Sequence, residues 1–281
     1  ECSFNASGET VIHSEDLEQL VFGVREPMYK TGFDRNLWLW EQYNPEASYL
    51  MVADVARGDG ADFSVFHIVK LETMEIIGEY RGKPNLEEFA AILDTTGREF
   101  GNCLMVVENN SLGISILEKL QTREYPNIYF SVKGTHEYID QVQAQSITNS
   151  IAGFTTSSKT RPLIVAKMEE FIRNKLITIY SSRLVDEFKT FIWNNNRAQA
   201  MRSYHDDLVM ALAIGCWVRD TALTTNQREL EYKKAMVGSM MVENKTFKTR
   251  NPGSNPMHQG LTREQRETQQ DYSDFVWLLK G

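Results

Sequence analysis

The chain has 281 residues, of which 42% are hydrophobic and 24% charged, and these fractions are ordinary for a globular protein with a sizeable core. The formal net charge of −8 does not favour a general nucleic-acid binder, although a site built of carboxylates is itself acidic. No apolar run approaches the roughly 20 residues of a transmembrane helix. The three cysteines form no CxxC pair, which argues against a thiolate zinc site and is typical of a reducing compartment.

The first 45 residues have no single period. Because they begin with neither an initiator Met nor a signal segment, we expect a linker or the end of a preceding domain, cut from a longer polypeptide. A predicted helix opens near Ser14, and an aromatic segment over 38–45 is expected to pack against the main domain.

Residues 46–220 contain alternating strand and helix patterns. Apolar runs bounded by polar or glycine residues predict strands over 48–56, 63–70, 75–81, 103–110, 128–132, 176–180 and 190–193. Apolar residues at helical spacing predict helices over 86–100, 113–121, 159–175 and 182–189, and a further helix that opens at His205-Asp206-Asp207.

The order of these elements predicts an α/β fold. Short connections between the first three strands favour an antiparallel meander, whereas strand, helix and strand over 103–132 predict a parallel crossover. Residues 134–158 are polar and are predicted to form a loop or extended segment. The composition changes after Arg219, so residues 221–281 are predicted to be a polar extension with an apolar end.

Three carboxylate positions stand at the ends of predicted elements. Asp54 lies on the first strand, Glu108 ends the fourth, and Asp206 or Asp207 begins the last helix. If the first and fourth strands are neighbours and the helix packs across the sheet, these acids meet. A set of oxygen ligands suits Mg²⁺ or Mn²⁺, and two such ions about 3.5–4 Å apart can promote hydrolysis of a phosphodiester.

Three motifs resemble those of a known family. They are Val52-Ala53-Asp54-Val55-Ala56-Arg57-Gly58, Val106-Val107-Glu108-Asn109-Asn110 and His205-Asp206-Asp207-Leu208-Val209-Met210-Ala211-Leu212. Over residues 45–220 the chain resembles the nuclease domain of large terminases, the DNA-packaging motor subunits of tailed, myovirus-type bacteriophages. The resemblance implies an RNase H/integrase-like mixed central sheet flanked by helices. It also implies a metal-dependent endonuclease that cuts concatemeric viral double-stranded DNA as head filling begins and ends.

By the same resemblance Asp54, Glu108 and Asp207 are metal ligands for two Mg²⁺ or Mn²⁺ ions, and Asp62 is an additional acid. Asp206 competes for the third catalytic position, and the sequence leaves open which of the pair faces the metals. His205 either orients a water or a carboxylate, or is a helix-capping or surface residue. Basic residues that can grip DNA phosphates, but also fit a solvated helix face, are Lys133, His136, Lys159, Arg161, Lys167, Arg173 and Lys175.

The resemblance further implies partners. An ATPase domain in the same full-length chain would drive translocation, and a portal protein and a small terminase subunit would join it at the procapsid portal. The expected location is the host cytoplasm during viral assembly, with no secretion and no membrane partner. Because the sequence has no G-x-x-x-x-G-K-[ST] loop, we expect this fragment to cut DNA without translocating it.

Two other interpretations are open at this stage. A non-catalytic, RNase H-like docking module of the packaging motor would keep the fold with vestigial acids, although three intact acids argue against it. An actin-like or sugar-kinase-like ATPase lobe also places an acid and a glycine turn after its first strand. That class needs a second equivalent lobe, and the residues after 220 are too polar to form one.

Overall fold

The structure, a computed structural model, describes residues 10–56, 60, 62–133, 138–139, 141–195 and 197–219. They all fall within the unit Glu1–Glu229, and the second unit, Leu230–Gly281, lies outside them. The predicted polar extension and Gly58 of the glycine-rich turn are therefore also outside the described residues. Within the described ranges, no helix combines the length and the apolar character that a membrane crossing requires.

Helices and strands alternate through most of the described chain. The helices are α1 (Ser14–Gly23), α2 (Leu86–Glu99), α3 (Ser111–Thr122), α4 (Gln141–Ser146), α5 (Thr160–Arg173), α6 (Ser182–Thr190) and α7 (207–219). The strands are β1 (Tyr29–Thr31), β2 (Leu37–Leu39), β3 (Tyr49–Asp54), β4 (Ser64–Lys70), β5 (Glu75–Gly82), β6 (Leu104–Val107), β7 (Phe130–Val132), β8 (Tyr138–Ile139), β9 (Ser150–Ala152), β10 (Phe191–Asn194) and β11 (Arg197–Ala200).

A six-stranded mixed sheet with the order β1-β2-β5-β4-β3-β6 forms the centre of the fold. Strands β3, β4 and β5 are the predicted antiparallel meander. Strand β6 runs parallel to β3, and an isolated parallel bridge joins Met105 to Ile128, which confirms the predicted crossover. Strands β8, β7 and β9 form a second sheet, and β10 and β11 form a hairpin.

The side chains of β3 alternate between two cores, because successive residues of a strand point to opposite faces of the sheet. Leu50 and Val52 belong to the core that contains residues of α5, α6 and α7. Met51 and Ala53 belong to the core that contains residues of α2 and α3. Helices therefore cover both faces of the sheet, and this explains why residues 50–53 of β3 are all apolar rather than alternating with polar residues.

Helix α7 crosses β3 closely. Its residues 208–214 are at most 3% exposed. A Cβ atom placed on Gly215 would lie 3.1 Å from Cγ1 of Val52, so the small residue permits the close packing. The helix is thus anchored on the strand that carries Asp54.

Most predicted helices are confirmed. Those expected over 86–100, 113–121, 159–175 and 182–189 are α2, α3, α5 and α6, with ends within two residues of the prediction. Helix α2 begins with a reciprocal capping box, in which the side chains of Asn85 and Glu88 each accept the backbone N–H of the other residue.

Three segments differ from the expectation. The described part of 134–158, predicted as a loop or extended segment, contains the short strands β8 and β9 and also the helix α4, which was not expected. Residues 176–180 form no strand, because only Thr178 bridges the sheet, at Glu75. Residues 37–39 form β2, which pairs antiparallel with β5 and, on its other side, with the edge strand β1. Strands before residue 45 therefore join the central sheet, while the domain division at that residue stays a prediction.

Candidate metal centre

Asp54 and Glu108 stand side by side at the C-terminal ends of two parallel strands. The register pairs Ala53 with Val107, and the Glu108 N–H donates to the Ala53 carbonyl at 3.0 Å, so the next two residues are neighbours. Both continue the alternation that points Val52 toward the α7 face. Their carboxyl groups lie within hydrogen-bonding reach of each other.

The third acid comes from the start of α7. Asp207 is the first residue of the helix, and the Phe63 N–H donates to its Oδ2 atom at 3.0 Å. It lines a cavity of about 360 Å³ together with Asp54 and Glu108. We call this cavity the acid pocket, and its other charged lining residues are Asp62, Asp206 and Arg161.

The adjacent acids Asp206 and Asp207 have different partners. Oδ2 of Asp206 accepts a hydrogen bond from the Arg161 guanidinium at 2.7 Å, and its backbone carbonyl accepts the Met210 N–H, which places it at the helix cap. Asp207 has no arginine or lysine partner among the described residues, and its charge acts on Asp54. This difference favours Asp207 as the acid that faces the other pocket carboxyls.

Two side chains that the sequence analysis missed hold the first turn of α7. Glu187 of α6 is buried, and its Oε2 accepts the N–H groups of Leu208 at 2.9 Å and Val209 at 3.3 Å. His67 of β4 donates from Nε2 to the Leu208 carbonyl at 2.9 Å, since a carbonyl can only accept. Burial lowers the pKa of His67, which favours the neutral ring. The sequence pattern could have indicated that Glu187 is buried, because it lies one helical turn from Leu184, on the apolar face of α6.

Backbone packing fixes the position of Glu108. A Cβ atom on Gly113 would lie 1.7 Å from the Glu108 carbonyl oxygen, so only glycine permits this approach of α3. The next residue, Asn109, donates its N–H to Phe154 at 2.9 Å and its side-chain amide to Ala152 at 3.0 Å. The backbone that carries the Glu108 side chain is thus fixed by α3 on one side and by residues 152–154 on the other.

The acid pocket has an excess of negative groups. Among the described residues, five carboxylates line it, and the guanidinium of Arg161 is already paired with one of them. Burial above all, and then the charges of Glu108 and Asp207, raise the pKa of Asp54 well above its ordinary value. Burial also raises the pKa of Asp207, and Asp62 adds to the shift. A divalent cation would offset this repulsion.

Asp54 and Asp207 each use one carboxyl oxygen inside the protein. The Val55 N–H donates to Oδ1 of Asp54 at 2.7 Å, and a backbone N–H holds Oδ2 of Asp207. Apart from the contact between Asp54 and Glu108, no described residue donates a hydrogen bond to the other oxygen of either acid. A carboxylate that is pinned through one oxygen can ligate a hard cation through the other, so this donor set fits Mg²⁺ or Mn²⁺.

A second group of possible ligands shares Asp207. Ligand atoms of Asp62, His205 and Asp207 lie within 4.8 Å of one another. Nδ1 of His205 is 3.8 Å from a carboxyl oxygen of each acid, and its ring packs edge-on against Phe63. Asp62, whose side chain is 75% exposed, lies at the solvent side of the acid pocket.

The predicted DNA-binding residues occupy different environments. Arg161 lines the acid pocket and pairs with Asp206, as described above. Lys159 is exposed and directly precedes α5, and Lys167 pairs with Glu170 at 3.2 Å on the helix surface. The remaining predicted cations are Lys133, Arg173 and Lys175, which are exposed, and His136, which lies outside the described residues.

The sequence matches no established family model. Among solved structures, the large terminase nuclease from thermophilic phage G20c with bound magnesium covers 75% of this chain and 97% of that chain, with 19% identity and a TM-score of 0.54. The same nuclease with bound cobalt covers 75% and 97%, with 18% identity and a TM-score of 0.52. The large terminase nuclease domain of Thermus phage P74-26 covers 70% and 92%, with 18% identity and a TM-score of 0.53.

These likenesses establish the fold. The chain has the RNase H-like architecture of large-terminase nuclease domains, with a mixed six-stranded sheet between layers of helices. The fold class predicted from the sequence is therefore confirmed.

Proposed function

We propose that the chain is a metal-dependent endodeoxyribonuclease that cuts concatemeric viral double-stranded DNA during genome packaging. The observation that carries this proposal is the pair Asp54 and Glu108, adjacent on parallel strands and opposite Asp207 in one pocket. The fold shared with phage terminase nuclease domains, one of them solved with bound magnesium, supports the same conclusion.

In this proposal Asp54, Glu108 and Asp207 hold divalent cations, with Asp62 and His205 completing a second group. Two bound Mg²⁺ or Mn²⁺ ions would polarise the phosphodiester, promote ionisation of the attacking water and stabilise the leaving oxygen. Asp207 belongs to both groups of possible ligands, which makes it the carboxylate best placed to be shared.

The other residues of the site position these ligands. The Val55 and Phe63 N–H groups each fix one oxygen of a ligand carboxylate, which limits rotation of the side chain. Asp206 orients the guanidinium of Arg161 in the pocket wall, where it can donate to a phosphate oxygen of the DNA. Asp206 is then a positioning residue rather than a metal ligand.

We extend the proposal to the partners that the resemblance implies. The substrate is double-stranded DNA, and residues 46–220 act as the nuclease domain of a longer chain with its own ATPase domain. A portal protein and a small terminase subunit direct cutting during assembly in the host cytoplasm. Support for these partners comes from the likeness to phage terminase nucleases.

A plasmid-nicking assay with Mg²⁺ or Mn²⁺ tests the nuclease activity. We expect wild-type protein to nick supercoiled plasmid and EDTA to stop the reaction. Asp54→Asn and Glu108→Gln preserve side-chain shape but remove a ligand charge, so each should lower the rate by about 10²-fold or more. Glu118→Gln is a matched control, because Glu118 is an exposed residue of α3.

The result that contradicts the proposal is cleavage that persists unchanged in both ligand variants. Folded wild-type protein that nicks no plasmid with either metal would instead favour the non-catalytic docking module. Circular dichroism of each variant separates loss of the site from loss of the fold.

A further inference from the structure

A second cavity adjoins the acid pocket. It has a volume of about 480 Å³, and it shares the lining residues Glu108, Asn110 and Arg161 with the acid pocket. A polymer seated at the acids can therefore continue directly into it. Trp193 and Arg197 of the β10–β11 hairpin line the cavity, which we call the hairpin cavity.

The hairpin cavity presents polar groups without protein partners. Arg197 is exposed, and in the described part of the chain no residue forms an ion pair or hydrogen bond with its guanidinium. The hydroxyl oxygen of Thr156 is buried and also has no hydrogen-bond partner among the described residues. Apart from the shared Glu108, no described residue of the lining carries a carboxylate. These groups suit a ligand that accepts hydrogen bonds and carries negative charge.

Trp193 adds a flat apolar surface to the same cavity. The residue is 38% exposed, although tryptophan is usually well buried. Its cross-strand partner is Ala198, whose methyl group covers little of an indole ring. No described aromatic ring or cation stacks on Trp193. An exposed indole beside an unpaired guanidinium matches the way proteins bind nucleic-acid strands, with bases stacked on aromatic rings and phosphates held by cations.

We propose that the hairpin cavity binds the nucleotide next to the cleaved phosphodiester on one DNA strand. Arg197 holds its backbone phosphate, Trp193 stacks on its base after that base has left the paired duplex, and Thr156 donates to a phosphate or sugar oxygen. This inference rests on the proposed nuclease function, since it places the cleaved phosphodiester at the acid pocket. Because every base has a stacking face, the contact aligns the strand without selecting a sequence.

The proposal separates binding from chemistry. Trp193 and Arg197 lie outside the group of carboxylates, so their loss should weaken DNA binding and raise KM while leaving kcat at saturating DNA nearly unchanged. Replacing a stacking aromatic residue with alanine typically lowers the affinity for DNA by about 5- to 100-fold. Loss of one phosphate contact should also reduce the salt dependence, by about 0.9 in the slope of log K against log salt.

The test measures fluorescence anisotropy of a labelled DNA duplex with Ca²⁺ in place of Mg²⁺, together with nicking kinetics in Mg²⁺. We expect Trp193→Ala to raise Kd and KM by about 5- to 100-fold, and Trp193→Phe to restore most of the affinity. Arg197→Ala should raise Kd and lower the salt slope. Phe33→Ala and Arg35→Ala are matched controls, because these exposed residues belong to the turn between β1 and β2, at the sheet edge opposite β6.

The outcomes distinguish this inference from the nuclease proposal. If Trp193→Ala and Arg197→Ala bind the duplex as tightly as wild-type protein, the hairpin cavity does not hold DNA, even when Asp54→Asn abolishes nicking. If wild-type protein binds the duplex through Trp193 and Arg197 but never cleaves it, the nuclease proposal fails while the binding site stands. A kcat loss in Trp193→Phe without a change in Kd would also overturn the strand-binding role.

Discussion

Two groups of charged residues lie near the start of α7, and they differ in how far their carboxyl groups are paired with positively charged partners. In the acid pocket, Asp54 and Glu108 lie against each other and opposite Asp207, and the Arg161 guanidinium lies in the pocket wall. In the second group, which we call the Glu79–Glu187 cluster, each acid has a protein partner. Arg183 donates to Glu79 at 2.8 Å, and the Arg81 guanidinium lies 3.8 Å from Glu187.

We infer from this difference that the Glu79–Glu187 cluster supports the fold, whereas the acid pocket serves the proposed metal site. The carboxyl groups of the Glu79–Glu187 cluster are bound by arginines, Ser181 and helix N–H groups, and these hydrogen bonds hold α7 in place. Acids of the acid pocket repel one another, and folding by itself gains nothing from bringing them together. The repulsion lowers the free energy of unfolding, and a bound cation can offset this loss. The predictions below test whether the two groups divide their roles in this way.

The largest expected effect distinguishes the two adjacent acids of α7. Asp207→Asn should lower the plasmid-nicking rate by about 10²- to 10³-fold, because it removes a ligand charge from the pocket. Asp206→Asn loses a partly exposed ion pair with Arg161, which is worth at most about 1 kcal/mol, so its loss of rate should stay near tenfold or less. Nicking kinetics of the two variants give the comparison. Equal losses in both would show that the ion pair does not set Asp206 apart.

Glu187→Ala should produce the largest loss of stability. It removes the acceptor for two N–H groups of α7 and leaves Arg81 without its acid, at a cost of about 3 kcal/mol or more in free energy of unfolding. At about 2–4 °C per kcal/mol, thermal unfolding should fall by roughly 6–12 °C. Glu187→Gln keeps one acceptor oxygen and should lose less than half of this. A Tm within 2 °C of wild type for the alanine variant, about 1 kcal/mol, would contradict the role.

Glu187 also predicts the sign of a pH effect. Burial raises its pKa to about 8 from 4.5, so the fold favours the protonated carboxyl. The stability it contributes is full below its unfolded pKa and is lost as the pH rises through about 8, with a slope of at most about 1.4 kcal/mol per pH unit. Chemical unfolding at several pH values should therefore show a shallower loss of stability above pH 5 in Glu187→Gln than in wild type.

Gly113→Ala is expected to lower the free energy of unfolding by a smaller amount, although a change from glycine to alanine in a helix usually raises it. In a helix interior, alanine is about 1 kcal/mol better than glycine, so helix propensity predicts stabilisation. The structure predicts destabilisation instead, because the new Cβ would meet the Glu108 carbonyl oxygen. We expect a loss of about 1–3 kcal/mol and a reduced nicking rate, as Glu108 is displaced. An increase in Tm with full activity would show that α3 can move away at no cost.

The smallest expected effect is a gain in thermal stability, in the variant Asp54→Asn. Burial, Glu108 and Asp207 raise the pKa of Asp54, so the stability from its protonated form is lost as the pH rises toward that raised value. In metal-free protein near pH 8, Asp54→Asn removes this cost and should raise Tm by about 2–4 °C. Adding millimolar Mg²⁺ or Mn²⁺ should raise the wild-type Tm and leave the variant nearly unchanged. A metal-free variant that is less stable than wild type would contradict the repulsion.

The sequence predicted the local elements well where pattern and turn chemistry agree. The β3–β5 meander and α2 are the clearest cases, since both depend on neighbours in the chain. The prediction was wrong for residues 176–180, which are apolar enough for a strand but meet the sheet only at Thr178. Whether a short apolar segment pairs with a sheet depends on which edge it reaches, and the sequence does not contain that information locally.

The sequence by itself determined that three acids stand at the ends of elements, because strand and helix boundaries follow from hydrophobic period and capping. The tertiary structure decided the rest. The parallel register set Asp54 beside Glu108, and Arg161 binds Asp206 across 45 residues, whereas Asp207 has no arginine or lysine partner among the described residues. The pattern of α6 could predict that Glu187 is buried but not that it supports α7, because its hydrogen-bond partners lie 21 and 22 residues away. Contacts at such separations arise only when the two cores pack the helices onto the sheet.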